Sequence, residues 1–346
     1  MAPGAERGTY MTETTTQESG TTRSRLWRVV TWLLALGCFY LAYGRIAAAA
    51  ARAQMTPLDY LIGFFREVDW GTWLLLMIPY SVLFFLIDAN VTWRVIRWFN
   101  TPAIRFSNML PIRASAYILS LVNEQIGKGA MSLYLLRRYQ VPGWEAVSSM
   151  ILLGVMEIYQ LLIFSAIGVA LYLDLVRAAS TMLPLDRILT TVFVVAALYV
   201  PFHLLYFSGR VLPASKLRDR PLLHAFRQAR PRHYLLVLLF KAPNLLTAVL
   251  VYTAALQLFH VDVGFGQMLA FLPVIFLAAA LPLPFHAGAL LLWTVLFPDY
   301  PEVGAFSLVM HTFFVSFNAL IGVVFLPLAN RELFVEPPVS TAPEAP

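Results

Sequence analysis

The sequence predicts an all-α polytopic membrane protein with about six full transmembrane helices and two re-entrant or broken helical elements. Of its 346 residues, 59% are hydrophobic and 13% are charged, against about 25% charged residues in an average soluble domain. The apolar residues lie in blocks of 20 or more, the length that an α-helix needs to cross a bilayer. The single cysteine, Cys38, excludes an internal disulfide and a thiolate metal cluster.

Both ends of the chain are predicted to lie outside the membrane. Residues 1–24 are rich in Thr, Gly, Ser and Glu, which predicts a disordered cytoplasmic tail, and residues 335–346 predict a second disordered tail. Residues 25–334 are expected to form a single transmembrane domain. Its first apolar run is longer than the core of a cleaved signal peptide and is therefore expected to remain as a helix.

Six apolar blocks predict full spans, and two further stretches predict broken elements. The six blocks are Val29–Ala50, Thr72–Trp93, Val147–Leu173, Ile188–Phe207, Leu235–Leu258 and Ala305–Leu328. Ala114–Leu136 carries too many polar residues in its middle for a helix that faces lipid. Gln267–Phe297 is interrupted by prolines, a histidine and a glycine. Broken backbone at membrane depth predicts a polar cavity beside each element.

The positions of Lys and Arg predict the orientation. With the N-terminus inside and both broken elements entering and leaving on one side, 17 Lys and Arg lie inside and 5 outside, which satisfies the positive-inside rule. We therefore expect the plasma (inner) membrane with both termini in the cytoplasm. The broken elements then enter from opposite faces, as in transporters with inverted repeats and a site near the midplane.

The loop 210–233 holds seven of the 25 Lys and Arg, interleaved with leucines. It is predicted either to attract anionic lipid headgroups or to act only as a determinant of topology. Because the positive charge is explained by topology, no nucleic-acid partner is expected, and membrane lipids are the predicted partners. The oligomeric state is left open.

Five ionisable side chains and one amide side chain inside the apolar blocks are the candidate site residues. Glu124 and Lys128 are spaced i, i+4 and would pair on a helix. Lys128 would then either face an anionic headgroup, with Asn123 supplying a hydrogen bond, or form a purely structural pair with Glu124.

The remaining candidates are Glu157, Lys241 and His286. Glu157 lies deep in an apolar span, where it would carry a proton for coupled transport or pair statically with Lys128 or Lys241. Lys241 is predicted to extend to the inner interface. His286 is ranked above His311 because it lies at a break in the helix. Asp88 and Asn90 are predicted to pair locally with Arg94 and Arg97.

From Leu119 the chain reads LSLVNEQIGKGAMSLYLLRRYQVPGWEAVSSMILLGVMEIYQLLI, and later LPVIFLAAALPLPFHAGALLLWTVLF. With the early WLLLMIPYSVLFFLIDANVTWRVIRWF block, these segments resemble the transmembrane region of the lysylphosphatidylglycerol synthase family, flippase-like membrane proteins. The resemblance implies a polytopic fold that moves lipids. No synthase domain follows Leu328, so the transferase activity of fused members is not expected.

Motifs of soluble enzymes are missing from the sequence. Gly127-Lys128 lacks the first glycine and the final Ser or Thr of a P-loop, and H-E-x-x-H and G-x-S-x-G are absent. No cofactor or metal is predicted. The favoured function is translocation or binding of an anionic lipid or lipid-linked substrate through a polar intramembrane cavity. The alternatives are a membrane enzyme that transfers a group onto a lipid, and a non-catalytic membrane scaffold.

Overall fold

The computed structural model describes residues 14–122, 124–179, 184–281 and 283–334, with side chains from residue 29 onward except at 120–122, 124–126 and 128. The described residues are mostly α-helical and include no strand. The helices are α1 (Thr14–Arg52), α2 (Pro57–Arg66), α3 (Trp70–Phe99), α4 (Phe106–Val122), α5 (Glu124–Tyr139), α6 (Gly143–Leu171), α7 (Leu173–Ala179), α8 (Leu185–Phe207), α9 (His224–Gln228), α10 (Pro231–Leu258), α11 (Phe265–Ala279), α12 (Ala287–Leu296) and α13 (Val303–Phe334).

All six predicted spans are confirmed as helices that are long and apolar enough to cross a bilayer. They are α1 from Val29 onward, α3, α6, α8, α10 and α13. The chain is therefore a multi-pass membrane protein. The helices run past several of the predicted ends, because adding a residue to an existing helix is easier than starting one. The same reason accounts for residues 14–24, which the sequence analysis assigned to a disordered tail and which continue α1. Residues 1–13 and 335–346 lie outside the described residues.

Polar side chains fix where the helices at one end of the bundle begin. The Asp69 carboxylate accepts hydrogen bonds from the backbone N–H groups of Gly71 and Thr72 at 3.0 and 3.2 Å, so α3 begins at Trp70. The Thr56 hydroxyl oxygen accepts from the Asp59 N–H at 3.1 Å and caps α2. Both satisfy N–H groups that have no partner within a helix.

The first predicted broken element is a hairpin of two helices, α4 and α5, which pack against each other. With 17 and 16 residues, each is shorter than the roughly 20 residues of a full span. Met109 near the start of α4 and Tyr134 near the end of α5 share one apolar cluster with Ile96 and Ala146. The hairpin therefore enters and leaves at the same end of the bundle, as predicted.

The second broken element is also a hairpin, formed by α11 and α12. Its tip contains Phe285 and His286, two consecutive residues with positive φ angles of 54° and 49°. After α12 the chain returns to the α1–α2 connection, where the Arg45 guanidinium donates to the Pro298 carbonyl at 3.4 Å. This hairpin therefore opens at the end of the bundle where α1 ends and α2 lies.

Helix α13 connects the two ends. It begins beside the second hairpin and ends beside the first, where the Asn108 amide donates to the Glu332 carboxylate at 2.8 Å. The two hairpins therefore open at opposite ends of the bundle. This is the arrangement expected for inverted repeats, while symmetry between the halves stays a prediction.

A buried contact between the chain segments at the second hairpin's end depends on pH. The Tyr60 hydroxyl donates to the Glu302 carboxylate at 2.8 Å. Burial raises the pKa of Glu302, with opposing effects from its hydrogen bonds, and burial followed by the neighbouring Glu302 raises the pKa of Tyr60 to about 12. Tyr60 thus stays a donor at neutral pH, while the Glu302 carboxylate lies in an environment that favours its protonated form.

A carboxyl group whose pKa is raised on folding stabilises the folded protein most at pH values below its unfolded pKa of about 4.3. This contribution is lost as the pH rises through the pKa of the folded state. We therefore expect Glu302→Gln to raise the unfolding temperature at pH 7–8 and to leave it unchanged or lower at pH 4. Thermal unfolding of both proteins in one detergent across this range would measure it. If the two proteins differed in unfolding temperature by the same amount at every pH, the raised pKa of Glu302 would be contradicted.

Candidate functional site

The first ion pair inside the bundle joins α3 to the first hairpin. Arg113 Nε lies 2.6 Å from Asp88 Oδ2, and the Tyr117 hydroxyl donates to the same oxygen at 2.7 Å. The Arg113 guanidinium also lies 5.0 Å from the centre of the Tyr117 ring. Arg113 and Tyr117 are four residues apart and so lie on the same face of α4. The Asp88 carboxylate is therefore held by two donors from one helix.

The second ion pair joins α6 to α10. Lys241 Nζ donates to Glu157 Oε2 at 3.1 Å. The Lys241 side chain is 8% exposed, whereas the Glu157 side chain is 58% exposed. Glu157 is near the middle of α6, so its exposed surface faces the membrane interior or a space open to it. The cation of this pair is enclosed by protein, and its counter-ion is accessible.

The two ion pairs form one group, which we call the charge cluster: Asp88, Arg113, Glu157 and Lys241. Lys241 interacts electrostatically with Asp88, and Glu157 with Arg113. Their four helices meet because α3 packs against α4, α6 and α10. With two acidic and two basic members, the cluster is electrically neutral when all are ionised. Neutrality offsets part of the desolvation cost of burying each charge.

Two buried amides flank the second ion pair. Gln160 follows Glu157 by three residues on α6, and Asn244 follows Lys241 by three on α10, so each lies on the same side of its helix as the charge. Both side chains are buried, and Gln160 Nε2 and Asn244 Oδ1 have no hydrogen-bond partner among the described residues. One is a donor and the other an acceptor. Buried polar atoms without partners are uncommon, because each carries a desolvation penalty.

The local sequence explains why α10 can carry polar groups at this depth. Pro243 lies inside the helix between Lys241 and Asn244. Proline has no backbone N–H, so the carbonyl group one turn earlier has no hydrogen-bond partner within the helix. Lys241, Pro243 and Asn244 together form a polar interruption in an otherwise apolar helix.

The structure decides several alternatives for the predicted site residues. Glu157 pairs with Lys241, which was one of its two predicted partners, while proton carriage by Glu157 stays a prediction. The prediction that Lys241 extends to the interface is wrong, because its ammonium group is buried against Glu157. Asn90 accepts from Arg94 Nε at 2.8 Å, as predicted.

The predicted local pairing of Asp88 with Arg94 or Arg97 is wrong, because Asp88 pairs with Arg113 on another helix. Arg113 was counted among the charges of an inside loop, and the structure places it within α4 and largely buried. The pairing reaches across 25 positions in the chain. An argument from neighbouring residues alone could not have identified the Asp88–Arg113 pair.

The structure does not test the candidate site residues of the first hairpin. Asn123 lies outside the described residues, and Glu124 and Lys128 are in α5 but their side chains lie outside them too. Their pairing therefore stays a prediction.

His286 lies in the second hairpin and does not contact the charge cluster. Its Nδ1 atom is 2.9 Å from the Ala279 carbonyl oxygen, so it spans the break between α11 and α12. Its ring centre is 4.4 Å from that of His311 on α13. The neighbouring Phe285 contacts Trp32 and Phe39 of α1, with ring centres 6.0 and 6.4 Å apart. His286 therefore pairs with the exposed backbone of the break, which was the reason for ranking it above His311.

Sequence reasoning missed Arg113, Tyr117, Gln160 and Asn244. A usable signal was present in each case, because each lies three or four residues from another polar member of the site on the same helix. The pairs are Arg113 and Tyr117, Glu157 and Gln160, and Lys241 and Asn244. Polar residues that recur at this spacing in an apolar helix indicate a shared polar face.

The cluster and its flanking amides offer both charged and hydrogen-bonding groups. Among the described residues, no group of three or more His, Cys, Asp or Glu could hold a metal ion. A buried ammonium and two unpartnered amide atoms can recognise a charged, hydrogen-bonding group. No family model, curated protein or solved structure matches the chain.

Proposed function

We propose that this membrane protein binds a lipid or lipid-linked substrate with an anionic headgroup at the charge cluster and moves it between the leaflets. The observation that carries the proposal is the Glu157–Lys241 pair, whose cation is buried and whose carboxylate is accessible. Ionisable residues inside membrane spans are costly and usually mark substrate or ion pathways. The resemblance to the flippase-like family suggested the same function from different residues, and membership in that family stays a proposal.

Lys241 is the cation of the cluster whose counter-ion is exposed, at 58%. Arg113 is held by Asp88, which also accepts from Tyr117. Glu157, by contrast, is accessible from outside the protein, so an incoming phosphate or carboxylate can replace it at Lys241. Gln160 Nε2 would then donate to the same anion, and Asn244 Oδ1 would accept from a hydroxyl or amine of the headgroup.

The two hairpins supply the geometry for alternating access. They open at opposite ends of the bundle, and each contains a break in the chain between two short helices. In transporters with broken helices at the midplane, one unit rocks against another around a fixed site. We propose the same arrangement here, in the plasma membrane with both termini in the cytoplasm, as the bias in Lys and Arg suggests.

The proposal predicts that translocation depends on both charges of the accessible pair. Purified protein would be reconstituted into vesicles that contain fluorescent phosphatidylglycerol or phosphatidylcholine, and a membrane-impermeant quencher would report movement between leaflets. We expect faster movement of the anionic lipid than in protein-free vesicles. We expect Glu157→Gln/Lys241→Gln to reduce the rate at least about tenfold, the effect of losing roughly 1.4 kcal/mol of substrate recognition.

The double substitution is chosen because it removes both charges together and leaves no unpaired ion in the bundle. Arg331→Gln, which removes an exposed charge at the end of α13, is the matched control and should keep the parental rate. Size-exclusion profiles establish that each variant folds. A folded double variant with the parental rate, or a parental protein that moves no lipid, would contradict the proposal.

A further inference from the structure

The positive charge of the chain is concentrated between α8 and α10. Residues 210–233 hold seven Lys and Arg and one Asp, a net charge of +6, which equals the net charge of the whole protein. The rest of the chain is therefore balanced. This segment, which we call the basic segment, connects the end of one candidate spanning helix to the start of the next. It is therefore expected to lie at the membrane surface.

The basic segment is folded onto the helix bundle. Ala225 and Phe226 of α9 are buried, and the Ala225 N–H donates to the Ser148 hydroxyl of α6 at 3.0 Å. The Arg227 guanidinium donates to the Arg218 carbonyl at 3.1 Å. Its cations are therefore held at defined positions on the bundle.

A recess of about 580 Å³ lies where the basic segment meets α8 and α10. Its lining includes Arg227, Arg230 and Ser208, together with Leu204 and Phe207 of α8. A volume of this size is within the range of roughly 300–1,000 Å³ that holds small ligands. The recess thus combines two cations with an apolar wall that leads along a spanning helix.

We propose that this recess binds the headgroup of an anionic phospholipid from the adjacent leaflet. Its phosphate would lie between Arg227 and Arg230, because guanidinium groups bind phosphate oxygens through paired, charge-assisted hydrogen bonds. Arg227 donates to the Arg218 carbonyl and lies 3.9 Å from the carboxylate of Asp219, which is 73% exposed. Exposed pairs of this kind are weak, so an incoming phosphate can replace Asp219 at the guanidinium. The acyl chains would follow Leu204 and Phe207 into the bilayer.

The surroundings favour a lipid over a soluble anion. Leu212 and Leu217 of the basic segment are exposed, at 60% and 53%, as expected where apolar side chains enter the headgroup region beside basic ones. The recess is distinct from the charge cluster, with which it shares no residue. Binding there does not depend on the proposed translocation.

The test measures lipid binding to the full chain in detergent. Native mass spectrometry would count retained lipids, and thermal unfolding would be followed during titration with short-chain phosphatidylglycerol, phosphatidylcholine or inorganic phosphate. We expect phosphatidylglycerol to be retained and to raise the unfolding temperature, with little effect of the other two. Arg227→Gln/Arg230→Gln should weaken phosphatidylglycerol binding about tenfold or more.

The control is Arg210→Gln/Arg220→Gln, which removes the same charge from the same segment outside the recess. It should weaken binding less than about threefold if the site is specific, since diffuse attraction depends only on total charge. Equal losses in the two double variants would overturn the proposal, as would equal stabilisation by inorganic phosphate or by phosphatidylcholine. Arg227→Lys/Arg230→Lys should restore part of the binding. In the Glu157→Gln/Lys241→Gln background, which removes the other proposed lipid site, Arg227→Gln/Arg230→Gln should still weaken phosphatidylglycerol binding about tenfold, so failure here and failure of translocation are distinguishable.

Discussion

Asp88→Asn is expected to destabilise the protein by about 3–5 kcal/mol, the usual effect of removing one partner from a buried ion pair. The substitution leaves the Arg113 guanidinium inside the bundle with no carboxylate at 2.6 Å. It also removes the charge that accepts the Tyr117 hydrogen bond. Unfolding in mixed micelles, followed by tryptophan fluorescence, would measure the loss. Replacing both partners by Asp88→Asn/Arg113→Gln should recover much of the stability, because no unpaired charge is left.

The matched control is Asp174→Asn at the exposed Asp174–Arg177 pair, where the charged atoms are 3.7 Å apart. Exposed pairs in water contribute little to stability, so no measurable change is expected. If Asp88→Asn and Asp174→Asn had the same effect, the charge cluster would not be the buried structural element described above.

Gly168→Ala is expected to destabilise the packing of α6 against α11 by about 1–3 kcal/mol, the typical effect of overpacking. A Cβ atom at this position would meet the Leu269 carbonyl oxygen and lie 2.6 Å from Ala270 Cα. Both are backbone atoms and cannot rotate away, so the helices must separate. Small residues permit such close approach of helices in membranes, where packing is a main source of association. The fraction of protein that stays monodisperse after heating would measure the effect.

Gly154→Ala in the same helix is the control. A Cβ atom there meets nothing within 4 Å, and Ala is favoured over Gly in helices by up to about 1 kcal/mol. The same substitution should therefore be neutral or stabilising at Gly154 and destabilising at Gly168. Equal effects at the two positions would show that α6 and α11 are not in close contact.

The transmembrane architecture could be predicted because it depends on local properties. Each span follows from a long apolar block, and each hairpin from polar or helix-breaking residues within a shorter one. The positions of Lys and Arg predicted that the first hairpin enters and leaves on the inside, since a full crossing by residues 114–136 would have moved the basic segment outside. These properties are readable from neighbouring residues without knowledge of the packing.

The sequence could not single out the pairings within the site, because they join distant parts of the chain: Glu157–Lys241 was one of two alternatives, and Asp88–Arg113 was not predicted. Asp88 had Arg94 and Arg97 nearby in the sequence, and its partner is Arg113 on the hairpin. Lys241 had an interface within reach of its long side chain, and it is instead buried against Glu157, 84 positions earlier. In each case the choice depends on which helices are adjacent, and helix adjacency is set by the packing of α3 against α4, α6 and α10.

The neutrality of the charge cluster has an electrical consequence. Moving one elementary charge through the membrane potential involves about 2.3 kcal/mol per 100 mV, but the two cations and two anions of the cluster contribute opposite amounts when they move together. In the transport cycle proposed above, rocking of this part of the bundle would therefore be nearly insensitive to voltage while it is empty. A bound anion would add an uncompensated charge, so the membrane potential would act on the loaded protein and set the direction of the proposed cycle.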